Sequence, residues 1–476
     1  MASDNVIQKA KTSMVWSFIE KVSVQGTSFL ISLVLARLLM PQDYGVIAII
    51  SIFMSVASVF IDSGLSSALI QKQDRTDSDY TTAFFTNIIV ASLCYVTLFL
   101  TASPISVFFE TPILKDVTRV YAIVLIIGSL SIVQKTRCYI EYNFRLLAAV
   151  SLFAILCGGI SAIYFAYNDY GVWSLVYYNL ITETIRTAGL WIVGRWYPRL
   201  VFSKKSFLHI CKFGTNVLGA NMINVITANF YTFVVGKLFS ATSLGFYSRG
   251  QSMAYILPSN VSNMVVQASY PIFCELQSDR EKLSFVFQKY IRLIFALVAP
   301  FMALLVVLSK PLVIILLTEK WLDSVYFIQI LAIAYAFDPV MRLNANVINV
   351  TGRSDYTLKA EILKKVALIG LLILSYSFGL KAMTIALAFY SFADLYIVSF
   401  YVRNVTGVTL LHQVKLLLPI ICYSVISGAI CSFVKFLLPS CILQILIGGC
   451  LGILAYMLLV YWFSGNIIVD LRKIKK

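Results

Sequence analysis

The chain has 476 residues, 59% of them hydrophobic and 13% charged, at a mean hydropathy of +0.85. Soluble domains hold about 45–50% apolar and about 25% charged residues, so a cytosolic enzyme, a secreted domain and a disordered scaffold are excluded. The 38 basic against 22 acidic residues leave +16, which in so apolar a chain reads as cytoplasmic-loop charge in a polytopic membrane protein and not as a nucleic-acid footprint.

A membrane-spanning helix takes about 20 apolar residues. The run from Met14 to Met40 is too long for a signal peptide's hydrophobic region and lacks a clear small-residue cleavage site, so it reads as the first span. In chain order the predicted spans are 14–38, 44–70, 80–101, 118–139, 146–167, 171–194, 213–237, 243–272, 289–318, 323–349, 357–378, 381–402, 413–437 and 441–464. The turns Asn168-Asp169-Tyr170-Gly171 and Ser377-Phe378-Gly379 must reverse the chain within a few residues. Spans eight to ten, long and rich in Ser and Asn, are the least sharply bounded.

About fourteen spans put both termini on one side. Lys9 and Lys11, the loop pairs Lys72/Arg75 and Lys135/Arg137 with Arg145, the run Arg195, Arg199, Lys204, Lys205 and Lys212, and the tail Arg472-Lys473-Ile474-Lys475-Lys476 all fall there. Roughly 26 basic residues lie on that side against roughly 8 on the other, which makes both termini cytoplasmic. Phe202–Phe213 and Asp279–Arg292 alternate apolar and basic residues, and read either as short helices in the headgroup plane or as plain basic loops.

An offset near 200 residues recurs. Val34-Leu35-Ala36-Arg37-Leu38-Leu39 before Asp43-Tyr44-Gly45 matches Val234-Val235-Gly236-Lys237-Leu238-Phe239 before Ser243-Leu244-Gly245. Tyr170-Gly171 answers Phe378-Gly379, and Arg145 answers Arg353. Such a repeat predicts two lobes of the same orientation with a cavity between them. The expected fold is therefore an all-α polytopic membrane protein: lobes at 1–200 (helices one to six) and 201–405 (seven to twelve), then two appended helices and a basic tail at 406–476.

A charge at bilayer depth costs about 2.5–3.5 kcal/mol on insertion scales and normally faces a cavity or a partner. Candidates are Glu20 and Lys21, Asp62, Glu183 and Arg186, Arg249, Asp338 and Arg342, and Asp394. Glu183/Arg186 and Asp338/Arg342 share a helix face and either neutralise each other or line a cavity. Arg249, with no acid within a helical turn, reads as the more exposed cation, and the single carboxylates Asp62 and Asp394 as proton carriers or buried hydrogen-bond partners. Ser248, Ser252, Tyr255, Ser259 and Ser262 form a stripe on span eight, and Asn216, Asn221, Asn224, Thr227 and Tyr231 an arc on span seven. These faces suit either helix–helix glue or a wet cavity. Pro258 and Pro339 are expected to kink their spans. The nine cysteines have no paired spacing, and His209 and His412 read as loop residues, so neither a metal site nor a histidine relay is expected. No Gly-rich loop ending in Gly-Lys-Ser/Thr is present to hold a nucleotide.

Leu35-Ala36-Arg37-Leu38-Leu39-Met40-Pro41-Gln42-Asp43-Tyr44-Gly45, Asp62-Ser63-Gly64-Leu65 and Ala68-Leu69-Ile70-Gln71, with Gly245-Phe246-Tyr247-Ser248-Arg249 and Lys320-Trp321 later, resemble the polysaccharide transporter (Wzx-type flippase) family. The resemblance covers nearly the whole chain in order. It implies the fold of the multidrug/oligosaccharidyl-lipid/polysaccharide exporter superfamily, residence in a bacterial plasma membrane, and no enzymatic activity. The implied substrate is an oligosaccharide repeat unit on undecaprenyl pyrophosphate, moved between leaflets for O-antigen, capsule or exopolysaccharide synthesis. Arg186, Arg249 and Arg342 are then the expected head-group contacts, with Asn221, Asn224, Ser252 and Tyr255 lining the sugar path. Asp62, Glu183, Asp338 or Asp394 would carry a coupling proton or sodium ion; no other cofactor is implied. The partners implied are the lipid-linked substrate, membrane lipids and other polysaccharide-assembly proteins. The alternatives are a drug or lipid II exporter of the same superfamily, which for drugs would need a more apolar cavity, and a membrane polymerase or ligase, which would need a long outer loop with Arg and His.

Overall fold

The computed structural model describes residues 2–62, 64–194, 196–199 and 201–463. Ser63, Arg195, the basic tail and the side chains of Lys9, Lys11, Lys205, His209, Lys212 and Asn216 lie outside the described residues. Hydrocarbon offers no partner to a free backbone amide, so a spanning segment must close its hydrogen bonds within itself. The described residues accordingly form helices and turns with no strand.

In order these are α1 (Ala2–Leu38), α2 (Pro41–Asp62), α3 (Leu65–Gln71), α4 (Asp77–Phe108), α5 (Leu114–Tyr121), α6 (Ile123–Ser129), α7 (Ile132–Ile140), α8 (Phe144–Tyr167), α9 (Val172–Gly194), α10 (Lys204–Leu238), α11 (Ala241–Leu276), α12 (Arg280–Leu316), α13 (Ser324–Tyr335), α14 (Asp338–Val350), α15 (Ser354–Ser375), α16 (Gly379–Thr406), α17 (Leu410–Leu437), α18 (Cys441–Leu443) and α19 (Gly449–Phe463). Among the described residues, eight runs are long and apolar enough to cross a membrane, or nine if the bent pair Leu114–Ser129 and Ile132–Ile140 is one crossing. One run, Ser354–Thr406, holds 53 residues and would measure about 80 Å as a single helix. It is two helices, α15 and α16, folded back on each other at Tyr376–Phe378, where Gly379 takes a φ of +87°. Its counterpart in the repeat, Gly171 before α9, also has a positive φ, +54°. The expected spans six and eight lie on α9 and α11, which fall outside those runs because Thr182, Glu183 and Arg186, and Ser248, Arg249, Gln251 and Ser252, interrupt their apolar residues.

The helix starts explain several boundaries. Thr76 and Asp79 form a capping box ahead of α4, with the Asp79 carboxylate accepting from the Thr76 amide at 2.8 Å and from the Lys72 ammonium at 2.6 Å. Ser203 caps α10 and Asp279 caps α12. Phe202–Phe213 and Asp279–Arg292 are therefore neither loops nor separate interfacial helices: each leads directly into a long helix, since no proline separates the cap from the apolar run that follows. The Asp279 carboxyl is held below the usual carboxylate range by its hydrogen bonds to Lys282. His412 likewise belongs to the first turn of α17, capped by Thr409, and His209 falls within α10. Lys135 and Arg137 sit on α7 and not in a loop. Pro339 occupies the first turn of α14, where a missing amide hydrogen is harmless, so span ten is broken into α13 and α14. α11 runs on as one helix through Pro258. The eight described cysteines are free thiols.

The chain divides into two compact units, Met1–Gly245 and Phe246–Lys476, a division that falls inside α11 and not near residue 200. In the first unit, α8 packs between α1 and α9, its small residues Gly158, Gly159 and Ala162 allowing close approach, while α10 packs on α2, α3 and α4. In the second, α12 packs on α13 and α17, and α16 on α13, α14 and α15. Their core holds Phe273, Phe287, Ile291, Phe295 and Val347, with the reciprocal amide pair Asn344–Gln413 (3.1 Å each way) joining α14 to α17.

The two glycines of the repeated motif meet in the first unit. A Cβ on Gly45 would stand 1.7 Å from the Ala241 carbonyl oxygen, and one on Gly245 would stand 1.8 Å from the Pro41 carbonyl oxygen. The first turns of α2 and α11 thus touch backbone to backbone. Overpacking typically costs about 1–3 kcal/mol, and a carbonyl cannot rotate aside as a side chain can. Gly45→Ala and Gly245→Ala are expected to lower the melting temperature of the detergent-purified protein. Gly219→Ala, which meets nothing within 4 Å, is expected to leave it unchanged or raise it, alanine being the better helix former.

Candidate functional site

In the first unit, α9 presents Glu183 and Arg186 one turn apart. Arg186 Nη1 donates to Glu183 Oε2 at 2.6 Å, and both side chains are largely buried. The pair therefore neutralises itself, yet the guanidinium is not exhausted: Arg186 Nε is buried with no hydrogen-bond partner among the described residues. Glu20 on α1 lies in the field of Lys135, Lys21 and Arg186, and Tyr139 on α7 in the field of Glu20 and Asp62. The helices α1, α2, α7 and α9 thus bring Glu20, Asp62, Lys135, Tyr139, Glu183 and Arg186 into one mixed-charge cluster. Asp62 is exposed and accepts from Ser66 at 2.9 Å. Arg119, a further cation at depth that spacing alone does not single out, lies 4.4 Å from the Phe99 ring centre, its Nε also without a hydrogen-bond partner among the described residues.

In the second unit, Asp338 and Arg342 stand at the start of α14. Arg342 Nε donates to Asp338 Oδ2 at 2.8 Å and its Nη2 to the Tyr255 hydroxyl at 2.7 Å, while Ser262 donates to Asp338 at 2.8 Å. Two members of the span-eight stripe, Tyr255 and Ser262, thus serve this cluster; Ser252 and Ser259 bond back to carbonyls of their own helix. Gln251 donates to Tyr335, whose ring packs against Tyr255 at 4.9 Å. Arg342 remains 42% exposed, so it can reach a ligand without breaking its pair. Arg249 is not the exposed cation that its sequence neighbours suggest. It is 6% exposed, because this stretch of α11 is buried on several sides at once, Tyr247, Arg249 and Gly250 alike. The neighbouring Phe246 meets the fully buried Trp321 edge-on at 6.1 Å, joining two of the sequence motifs.

Asn221 and Asn224 are exposed on α10, and no hydrogen bond among the described residues ties them to either cluster. The α10 amide that does bridge helices is Asn229, which donates to Ser55 on α2 at 3.1 Å.

Asp394 has a partner that sequence spacing could not supply. Midway along α16, it lies 3.3 Å from the Lys364 ammonium of α15, which also holds Glu361. The Lys364 and Asp394 side chains are 12% and 13% exposed, the most deeply buried ion pair of this unit among the described residues. Neither cluster contains a set of His, Cys, Asp and Glu side chains able to hold a metal, among the described residues.

The profile of the family described as polysaccharide biosynthesis protein matches residues 34–326. The chain is 26% identical over 306 residues to the succinoglycan biosynthesis transport protein ExoT of Rhizobium meliloti (strain 1021), covering 64% of this chain and 62% of that one, less than two thirds of its length. It is 21% identical to the lipopolysaccharide biosynthesis protein WzxC of Escherichia coli (strain K12) over 75% of this chain and 73% of that one. Among solved structures it is similar to lipid II flippase MurJ in an inward closed conformation (TM-score 0.75, 16% identity, 95% of this chain and 100% of that one). It is also similar to an inward-facing multidrug resistance MATE family transporter of the MOP superfamily (TM-score 0.59, 15% identity, 83% of this chain and 98% of that one). At these identities the likeness to solved structures establishes the fold.

Removing one partner of a buried ion pair leaves the other uncompensated, at a cost of about 3–5 kcal/mol. Lys364→Met is expected to lower the melting temperature markedly, and the double change Lys364→Met/Asp394→Asn to recover most of the loss. Thermal unfolding of the four proteins in one detergent checks this; a double variant no more stable than Lys364→Met would show that the two groups do not answer each other.

Proposed function

The chain belongs to the polysaccharide biosynthesis protein family, and we propose that it carries an oligosaccharide repeat unit on undecaprenyl pyrophosphate across a bacterial plasma membrane by alternating access. The family match carries this reading, and the charge arrangement gives it a mechanism. A pyrophosphate is held well by planar guanidinium donors in a low-dielectric surrounding. Arg186 is 27% exposed beside its acid, and Arg342 combines a fixed carboxylate partner with an exposed edge. Each guanidinium is held in place by its acid, so the ligand meets a preorganised cation that needs no costly burial of its own. The tyrosine and amide groups beside Arg342, Tyr255, Tyr335 and Gln251, suit sugar hydroxyls.

On this reading the fourteen spans place both termini in the cytoplasm. Asp394, poised against Lys364, is the group through which a proton or sodium gradient acts: uptake of the ion by the carboxylate would release the lysine and loosen α15 from α16. A place in O-antigen, capsule or exopolysaccharide synthesis is part of this reading, supported by relatives whose names concern succinoglycan and lipopolysaccharide.

The test uses sealed liposomes holding the full chain and a labelled undecaprenyl-pyrophosphate oligosaccharide, read by exposure to an external glycosidase. Wild type is expected to expose the label. Arg186→Ala and Arg342→Ala are each expected to slow exposure by about tenfold or more, the loss of one charge-assisted contact of about 1.5–3 kcal/mol. An imposed ion gradient should accelerate wild type and leave Asp394→Asn unaffected. Failure to move any such lipid, together with uptake of organic cations, would make the protein a drug exporter instead.

A further inference from the structure

The first unit contains a cavity of about 780 Å³ between α2, α4 and α10, walled by Phe53 and Phe60, Cys94, and Phe230 and Phe233 among others. Its two polar wall residues spend their donors within the protein. Thr97 donates to the Leu93 carbonyl at 2.8 Å, and the Asn229 amide donates to the Val225 carbonyl and to Ser55. What remains is a hydrocarbon surface between three helices, of which α2 and α4 lie in runs long and apolar enough to cross a membrane, with broad ring faces on two of its walls.

One end of this surface is charged. Along α10 the positions of Phe230, Phe233 and Lys237 fall on one helix face. Phe233 stacks on Phe108 at 5.8 Å, and the Lys237 ammonium lies 4.8 Å over that same Phe108 ring. Lys237 donates to the Phe108 carbonyl at 2.8 Å and pairs with Glu110 at 3.2 Å. Glu110 is 83% exposed, and an exposed ion pair contributes about 0–1 kcal/mol. A phosphate oxygen can take the carboxylate's place at little cost. An apolar slot with a cation at its end is complementary to an amphiphile that joins a long hydrocarbon chain to a phosphate.

We propose that this cavity holds the polyprenyl chain of the carrier lipid, with Lys237 meeting its phosphate. The proposal rests on the reading that the substrate is lipid-linked. A polyprenyl chain carries a planar double bond and a branching methyl group in every isoprene unit, flat surfaces that suit the broad faces of aromatic rings. Four of the wall residues are phenylalanines, rings that on this proposal favour the prenyl chain over the surrounding phospholipid. The cavity keeps the tail in a fixed lane beside that phosphate contact.

Cys94 reports on occupancy because its half-buried thiol stands in the wall. The full chain in phospholipid liposomes is treated with N-ethylmaleimide, and modification of Cys94 is followed by peptide mass spectrometry. A low mole fraction of undecaprenyl phosphate is expected to slow Cys94 modification by about fivefold or more, protection scaling as one plus the ratio of ligand to its dissociation constant. Undecaprenol should protect less, and dioleoyl phosphatidate not at all. Lys237→Gln should weaken protection by undecaprenyl phosphate and leave that by undecaprenol unchanged; Val56→Trp, which fills the cavity, should abolish both. Equal protection by phosphatidate, or none by either prenyl lipid, overturns the proposal, as does a Lys237→Gln protein that binds undecaprenyl phosphate like wild type. Translocation of the lipid-linked oligosaccharide with Cys94 unprotected would remove the cavity assignment alone. Protection without translocation would remove the transport reading alone.

Discussion

A charge carried into hydrocarbon must be answered by another group of the same protein, and much of this architecture follows from that condition. It closes the backbone into helices. It sets Arg186 against Glu183, Arg342 against Asp338 and Lys364 against Asp394. It also explains why α9 and α11, which bear such groups, are less apolar than the helices around them: a helix whose polar face is met by partners does not need a complete apolar surface. The pairs differ in what they leave over. Lys364 is shared between Asp394 and Glu361 in a nearly closed surrounding, whereas Arg342 keeps an exposed edge beyond its acid.

That difference separates a group that can respond to an ion from a group that can hold a ligand. A carboxylate whose only strong neighbour is an ammonium changes its packing when it takes up a proton or a cation. A guanidinium fixed by one acid keeps its charge and geometry whatever else it binds, since arginine does not lose its proton in proteins.

The helices were legible because an apolar run of fixed length leaves little choice of structure, and the reversals at Gly171 and Gly379 because few residues other than glycine take a positive φ at such a turn. The pairs Glu183/Arg186 and Asp338/Arg342 were legible for the same local reason: three or four residues on a helix are neighbours in space. What escaped were contacts made across helices. Nothing in the spacing joins Lys364 to Asp394, Tyr255 to Arg342, or Ser262 to Asp338. Lys135 looked like loop charge because it follows the apolar run directly, but the short α7 carries it toward Glu20. Arg249 looked exposed for want of an acid on its own helix, yet the packing around this stretch of α11 buries it.

The meeting of Gly45 and Gly245 also has a consequence for how such a sequence can drift. Most neighbouring side chains can trade volume, one shrinking as the other grows. Here each glycine faces a main-chain carbonyl of the opposite helix, at Ala241 and at Pro41, and glycine cannot shrink. No substitution at one site can make room for a larger residue at the other, so the pair has no compensating partner within its own contact. Two positions some two hundred residues apart are thereby held to one residue type by separate collisions, and an inherited duplication can keep its signature there after the rest of the repeat has diverged.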